Sequence, residues 1–454
     1  VTGDGNDIAQ IGTLCEKYNL YFILDASQTA GTIEIDMEQN HISAICFTGH
    51  KGLFGPQGTG GIALADGVCV KPLLSGGSGV HSFERKHPME LPAALEAGTL
   101  NGHGIAGLHA ALDWIKKTGI AAIHEKEMAL AEQFQRGIET IPGIHLYGGE
   151  KRVAAIVSCN LADLDSAYVS DCLAEDYGIA TRAGVHCAPL MHTHFGTEKQ
   201  GMVRFSFSCF NTTEEVEKAV RAMQDIAAEN RGKVTAYVGA GGKTSSIRKR
   251  AETLRAEGKR VLILTTTKMM VPQEQEIFAA YEQTGQESVI SATASVWQER
   301  RAAEKQLKER VQSVLDTYGC CVAGSLIPGT EKFGMLPEKL MEDLLYLADE
   351  ILIEADGSAH MPVKAPAEHE PVLFPYMDEV VIVMGAHAIG KPLREVCHRV
   401  DYAKELLKCD ADKIVTAADL KTLAEQGYAI PIQKQYPWMK ISKVTGKDIR
   451  KNQI

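Results

Sequence analysis

An apolar run, Ile42 to Phe47, stops abruptly at Thr48-Gly49-His50-Lys51 and gives way to the glycine-rich turn Gly52-Leu53-Phe54-Gly55-Pro56-Gln57-Gly58-Thr59-Gly60-Gly61. Apolar runs of this length bounded by glycine read as buried strands. A lysine where such a strand ends stands at the crevice edge, where open α/β sheets bind ligands. Desolvated there, its amine can act as a nucleophile, most usefully toward an aldehyde cofactor. Taken alone, this stretch reads more readily as a surface lysine after a strand. Just upstream, Tyr21-Phe22-Ile23-Leu24 is a second apolar run, and it ends in Asp25-Ala26-Ser27-Gln28-Thr29-Ala30-Gly31. Neighbouring strands would then set an acid and a lysine at their carboxyl ends, facing one crevice. Pyridoxal phosphate needs that pair: a lysine for the Schiff base, and a carboxylate that keeps the pyridine nitrogen protonated. Asp25 could instead cap the segment that follows it.

The order and spacing of D-A-S-Q-T-A-G and T-G-H-K-G-L-F-G-P-Q-G-T-G resemble the class V aminotransferase family, in its cysteine desulfurase and selenocysteine lyase branch. The resemblance covers the first half of the chain. It implies a fold-type I pyridoxal-phosphate transferase, with a mixed-sheet large domain and a small α/β domain. Lys51 would be the Schiff-base lysine and Asp25 the partner of the pyridine nitrogen. Gln28 would bond the phenolic oxygen, and Thr48 and His50 the phosphate. Gly58 and Thr59 would reach the cofactor of a neighbouring subunit, implying a homodimer. Val1-Thr2-Gly3 resembles an internal strand end of the family. A further part of the family's chain, carrying the side chain that stacks on the cofactor ring, is therefore expected before it.

Downstream, Asn6 to Asn19 has helical apolar spacing, with Cys15 expected in the core. Leu74 to Gly79 reads as a loop, and His81 and Arg85 after it read as solvated. Glu96-Ala97-Gly98-Thr99-Leu100-Asn101 matches the family's turn before a long helix, with Thr99 and Asn101 as candidate caps. A second helix is expected from Ile120, stopped by Pro142-Gly143. In Thr181-Arg182-Ala183-Gly184-Val185-His186-Cys187-Ala188-Pro189, glycine and proline place Cys187 on a loop. A cysteine beside His186 and near Arg182 has the setting a sulfur nucleophile needs, while a free cysteine more often serves as a buried apolar group. In the family, the loop R-x-G-x-H-C carries the cysteine that takes sulfur as a persulfide. His192 and His194 near this loop fit no common zinc spacing. Val203 to Phe207 alternates like a strand, and the family's pattern implies that Arg204, with Arg182 nearby, holds the substrate carboxylate as a bidentate fork.

A second domain is expected from residue 231, so the division reads 1–230 and 231–454. Val234 to Val238 is a strand, Gly239-Ala240-Gly241-Gly242-Lys243-Thr244 a glycine loop, and an amphipathic helix follows. This is the recipe for a phosphate cradle: backbone N–H groups and a helix N-terminus face the anion, Lys243 neutralises it, and Thr244 reaches Mg²⁺. Tyr237 stands where a full P-loop has its first glycine, so the loop resembles the shorter Mur-ligase type. Arg260 to Leu264 is a strand leading to Thr265-Thr266-Thr267-Lys268. Glu350 to Ile353 leads to Glu354-Ala355-Asp356-Gly357, which places Asp356 as a Mg²⁺ carboxylate. With Lys364-Ala365-Pro366 to Pro371 and Gly385 to Leu393, these motifs resemble the selenium-dependent hydroxylase accessory (YqeC) family. The tail after about residue 427 departs from that pattern. Cys320-Cys321 is expected at a strand start, in the core.

The totals agree with an α/β enzyme class. A net charge of −11 excludes a general nucleic-acid binder. No apolar span approaches transmembrane length. Eleven cysteines without a C-x-x-C pair read as reduced thiols of a cytoplasmic protein. The expected function is desulfuration of L-cysteine or L-selenocysteine through pyridoxal phosphate. An accessory domain binding Mg-ATP or Mg-GTP would assist transfer of the sulfur or selenium to an acceptor protein or molybdenum hydroxylase. The alternatives are a class V transaminase, or a nucleotide-binding regulator with an inactive aminotransferase remnant.

Overall fold

The computed structural model describes residues 1–81, 83–148, 151–282 and 294–445. The end of the tail, from residue 446, lies outside the described residues. Two compact units divide the chain. The first comprises residues 1–140, 144–160 and 164–224, and the second 225–454 with the short stretches 141–143 and 161–163.

In the first unit, helix α1 (Ile8–Lys17) precedes strands β1 (Ile23–Asp25), β2 (Ala44–Thr48) and β3 (Gly60–Leu64). They form one sheet in that order, β1 and β2 parallel and β2 and β3 antiparallel. Pairing of Asp25 with Cys46 brings the carboxyl ends of β1 and β2 to the same edge. Cys15 is half-buried on α1 rather than enclosed, which corrects the core expectation. Helix α2 (Gly102–Thr118) starts at Asn101, whose side chain accepts from Gly104 N–H at 3.0 Å. Helix α3 (Ile120–Ile138) buries Ile123, Leu130, Phe134 and Ile138 along one stripe.

A second sheet follows, β4 (Ile144–Tyr147), β5 (Ile156–Leu161) and β6 (Val203–Ser206), in that order. Between β5 and β6 lie α4 (Ser166–Tyr177) and α5 (Pro189–Phe195). Helix α6 (Thr213–Asn230) opens on a reciprocal cap: Glu215 N–H donates to Thr212 Oγ1 at 3.3 Å, and Thr212 N–H to Glu215 Oε2 at 3.1 Å.

The second unit is a nine-stranded sheet. Its members are β7 (Lys233–Ala240), β8 (Val261–Thr265), β9 (Met269–Met270), β10 (Phe278–Tyr281), β11 (Cys320–Leu326), β12 (Lys332–Gly334), β13 (Glu350–Glu354), β15 (Glu379–Met384) and β17 (Lys440–Thr445). The order runs β17-β15-β7-β13-β8-β11-β12-β9, with β10 on β11. Strands β14 (Val363–Lys364) and β16 (Cys397–His398) pair separately. The centre, from β17 to β11, is parallel. Its strands are near-continuous apolar runs because both faces are covered. One face packs with helix α8 (Ala294–Tyr318) through Leu307, Val311 and Val314, and Cys321 lies there. The other packs with α7 (Lys243–Ala256) through Ile247, Ala251 and Leu254, and Cys320 lies there. Period-two alternation thus sends the adjacent cysteines to opposite faces, both buried as expected.

Candidate functional site

At the shared edge of β1 and β2, Asp25 is exposed, and its Oδ1 accepts from Ser27 N–H at 2.9 Å and Ser27 Oγ–H at 2.5 Å. The Ser27 hydroxyl first, then its N–H, hold the Asp25 carboxyl below its usual range; the charge of Lys51 adds to this and slight burial opposes it. The capping alternative for Asp25 is therefore also real, but both bonds fall on Oδ1. Among the described residues no hydrogen bond falls on Oδ2.

Thr48 ends β2 half-buried, its hydroxyl 3.5 Å from the Ser27 carbonyl, and His50 and Lys51 are exposed just beyond it. The loop folds back on itself, Gly49 N–H donating to Thr59 carbonyl at 2.9 Å and Gly55 N–H to Gly49 carbonyl at 2.7 Å. A Cβ on Gly49 would fall 2.1 Å from Thr59 Oγ1, so only glycine fits there. Gln28, Gly58 and Thr59 lie on the surrounding turns, Thr59 donating to Pro56 carbonyl at 2.6 Å. An ionised carboxylate, a lysine and a hydroxyl at one sheet edge is the donor set that pyridoxal phosphate needs, so the residues present fit that group.

The second cluster of the first unit gathers on the loop before α5. Arg182 and Arg204 exchange backbone bonds at 3.1 and 2.9 Å. Arg182 Nη2 lies 3.4 Å from Cys187 Sγ, and Cys187 is exposed. His186 is buried and its Nε2 meets the Arg182 carbonyl at 2.7 Å. Burial pushes the His186 imidazole down; the carbonyl opposes this, and Arg204, His192 and Arg182 reinforce it. His186 and Cys187 both have left-handed backbones, φ 54° and 59°. Two such residues in succession are uncommon outside glycine. They turn the thiol outward while the imidazole beside it stays inside.

Arg204 is half-buried, and among the described residues its buried Nε has no hydrogen-bond partner. Burial, then the Arg182 charge, lower its guanidinium, and Cys187 opposes that. His192 is fully enclosed, Nδ1 2.9 Å from the Thr197 hydroxyl. Among the described residues no three His, Cys, Asp or Glu side chains gather to hold a metal ion. No hydrogen bond or ion pair among them joins Asp25 to Lys51, or either of these to Cys187.

In the second unit the carboxyl end of β7 passes through Gly239, Gly241 and Gly242, at φ 88°, 78° and 137°, into α7. A Cβ on Gly241 would stand 2.3 Å from the Pro362 carbonyl. Lys243 is buried, its Nζ donating to the Gly239 carbonyl at 2.7 Å and lying 4.0 Å from Glu354 Oε1. Burial lowers Lys243, with Glu354 opposing, and burial raises the Glu354 carboxyl, with Lys243 opposing. Thr244 Oγ1 donates to Glu354 Oε2 at 2.9 Å.

Asp356, expected to face Mg²⁺, is instead fully enclosed. Its Oδ2 accepts from Gly239 N–H at 3.1 Å and Tyr428 O–H at 2.7 Å, and its Oδ1 is paired with Lys364, also fully enclosed. That carboxylate has no open face for a cation; the carboxylate beside Thr244 is Glu354. Lys364 also donates to Gly357 carbonyl at 2.5 Å and Glu370 at 2.8 Å. Burial pushes Glu370 up, but bonds from Lys364, Ala367 N–H and Arg399 outweigh it and take the carboxyl down to about 2. Sequence reasoning missed Glu354, Lys364, Glu370 and Tyr428. The available signals were the acid ending β13, two residues before Asp356, and the motif Lys364 to Pro371, which carries Lys364 and Glu370.

Similarities to known proteins follow the same division. The family Aminotransferase class-V matches residues 1–219, and the family YqeC protein matches residues 235–401. A probable cysteine desulfurase of Methanothermobacter thermautotrophicus is 34% identical over 230 residues, covering 50% of this chain and 58% of the relative. A cysteine desulfurase of Shigella flexneri is 31% identical over 231 residues, covering 50% and 56%. The solved apo structure of a cysteine desulfurase from Thermococcus onnurineus NA1 is 30% identical, covers 50% of this chain and 57% of that one, and has a TM-score of 0.47. The chain thus spans little more than half the length of the curated relatives it matches.

Proposed function

We propose, for a chain whose residues 1–219 match the class-V aminotransferase family and residues 235–401 the YqeC family, a cysteine desulfurase unit joined to a nucleotide-binding accessory unit. Pyridoxal phosphate, when bound, supplies an electron-withdrawing ring that stabilises charge at the substrate α-carbon. With that group bound, Lys51 Nζ would hold its aldehyde carbon, and the Asp25 carboxylate would keep a proton on its ring nitrogen. Thr48 and His50 anchor the phosphate, and Gln28 the phenolic oxygen. Gly58 and Thr59 serve the phosphate of a second copy in a homodimer.

The observation that carries the desulfurase reading is the Cys187 loop. An exposed sulfur stands 3.4 Å from one guanidinium, and the half-buried Arg204 beside that loop has an open Nε–H. Arg204 supplies the fork for the carboxylate of L-cysteine or L-selenocysteine, with Arg182 beside it. Cys187 Sγ attacks the substrate chalcogen: a bond from Sγ forms, the carbon–chalcogen bond breaks with its electron pair on carbon, and protonation there gives alanine. In the second unit the positive-φ glycine run, Lys243 and Thr244 cradle phosphate, with Glu354 as the carboxylate nearest a Mg²⁺. The persulfide or its selenium counterpart passes to an acceptor such as a molybdenum hydroxylase, a step supported by the motif resemblance of 233–400.

The test measures bound-cofactor absorbance and alanine release from L-cysteine. Lys51→Ala is expected to abolish both. Cys187→Ala is expected to keep the absorbance and lose alanine release, and unchanged release in Cys187→Ala would overturn the persulfide step.

A further inference from the structure

The groove beside the glycine loop continues well past the place a phosphate would take. It encloses about 1070 Å³ and runs along α7 from Gly242 and Thr244 to Arg255 in the last turn. Twelve residues at 1.5 Å each make that about 18 Å. Chemistry changes along it. The upper end is polar and charged, with Lys243, Thr244, Glu354 and, from the turn after β8, Lys268. Below Ile247 the floor is apolar, made by Ala251 of α7, Ile263 of β8, and Cys320 and Val322 of β11, with Arg248 and Glu252 of α7 also lining the groove there. At the far end stand Tyr318, 41% exposed, and Arg255. Arg255 Nε would stand 3.8 Å from a Cβ placed on Gly319, the residue between Tyr318 and Cys320, so the guanidinium lies beside that end of the groove.

We propose that this far end is a base subsite, and that the groove holds a nucleoside triphosphate with its aromatic base on the apolar floor beside Tyr318 and Arg255. The inference rests on the phosphate-cradle reading of the glycine loop and extends it. Inorganic phosphate or pyrophosphate would use the charged end and leave an apolar wall without purpose. An extended triphosphate, ribose and base match the groove in length and in the order polar, then apolar. An aromatic base gains from both closing groups, by stacking on a tyrosine ring and by cation–π contact with a guanidinium. A peptide lying in the same groove would explain the apolar floor but not the buried Lys243 at its head.

The test compares ATP with inorganic tripolyphosphate by calorimetric titration of the full chain with Mg²⁺, as wild type, Tyr318→Ala, Tyr318→Phe and Lys243→Ala. Wild type is expected to bind ATP at least ten-fold more tightly than tripolyphosphate. Tyr318→Ala should weaken ATP roughly ten-fold, the scale of one base–aromatic stack, while leaving tripolyphosphate unchanged. Tyr318→Phe should retain ATP, and Lys243→Ala should weaken both ligands. Equal wild-type affinity for the two ligands, or indifference of ATP to Tyr318→Ala, overturns the base subsite and leaves the phosphate cradle standing. If wild type binds neither, the cradle reading falls, and this inference with it.

Discussion

The two units each set charged side chains at the carboxyl edge of parallel strands, and they use them in opposite ways. At the β1–β2 edge, Asp25, His50 and Lys51 are exposed, and among the described residues the only hydrogen bonds on the Asp25 carboxylate come from Ser27, two residues on in sequence. At the β7–β13 edge, Asp356 and Lys364 are buried and paired with each other. An exposed group with spare hydrogen-bonding capacity costs the fold little and remains available to a ligand. A buried one is committed: its desolvation must be offset by partners from the same chain. Charge at a strand end is therefore a poor guide to ligand binding until its partners are known, as the contrast between Glu354 and Asp356, two residues apart, makes plain.

The sharpest way to break the comparison is to remove one buried partner. Lys364→Ala leaves Asp356 enclosed and uncompensated, and is expected to cost the second unit about 3–5 kcal/mol in denaturant unfolding. Lys51→Ala, at the open edge, should change stability by less than about 0.5 kcal/mol. Similar losses in the two variants would erase the distinction.

Acid sharpens the contrast next. Glu370 is lowered from an ordinary 4.5 to about 2, so its contribution is fully present above pH 4.5 and is lost as pH falls through about 2. Unfolding midpoints of Glu370→Gln followed from pH 5 to 2.5 should show a flatter acid decline than wild type. An unchanged slope would mean that Lys364 and Arg399 do not hold that charge.

The smallest effect belongs to the open edge. Ser27→Ala removes the largest influence lowering Asp25, so its carboxyl moves up. Cofactor retention against pH should then lose its acid limb at a higher pH than in wild type, with little change near neutrality. Identical profiles would show that Asp25 ionises independently of Ser27.

Much of this arrangement is legible from local pattern. Apolar runs ending in polar residues or a glycine loop located β1, β2, β7, β8 and β13, because strand burial is written in consecutive residues. Asn101 was readable as a cap, since a cap needs only residues three apart. Asn6 to Asn19 was readable as a helix, but the burial of Cys15 was not, because periodicity names a face without saying what covers it.

What the sequence alone determined is the α/β class and the order of two strand-and-loop sites, each carried by a contiguous motif. Only the tertiary structure decided which charges are spent internally. Asp356 is closed off by Gly239, Lys364 and by Tyr428 from seventy-two residues away, and Arg204 Nε is left open within its own loop pairing. The physical reason is that desolvation and hydrogen-bond partners depend on which distant segments meet, and no local spacing encodes that meeting.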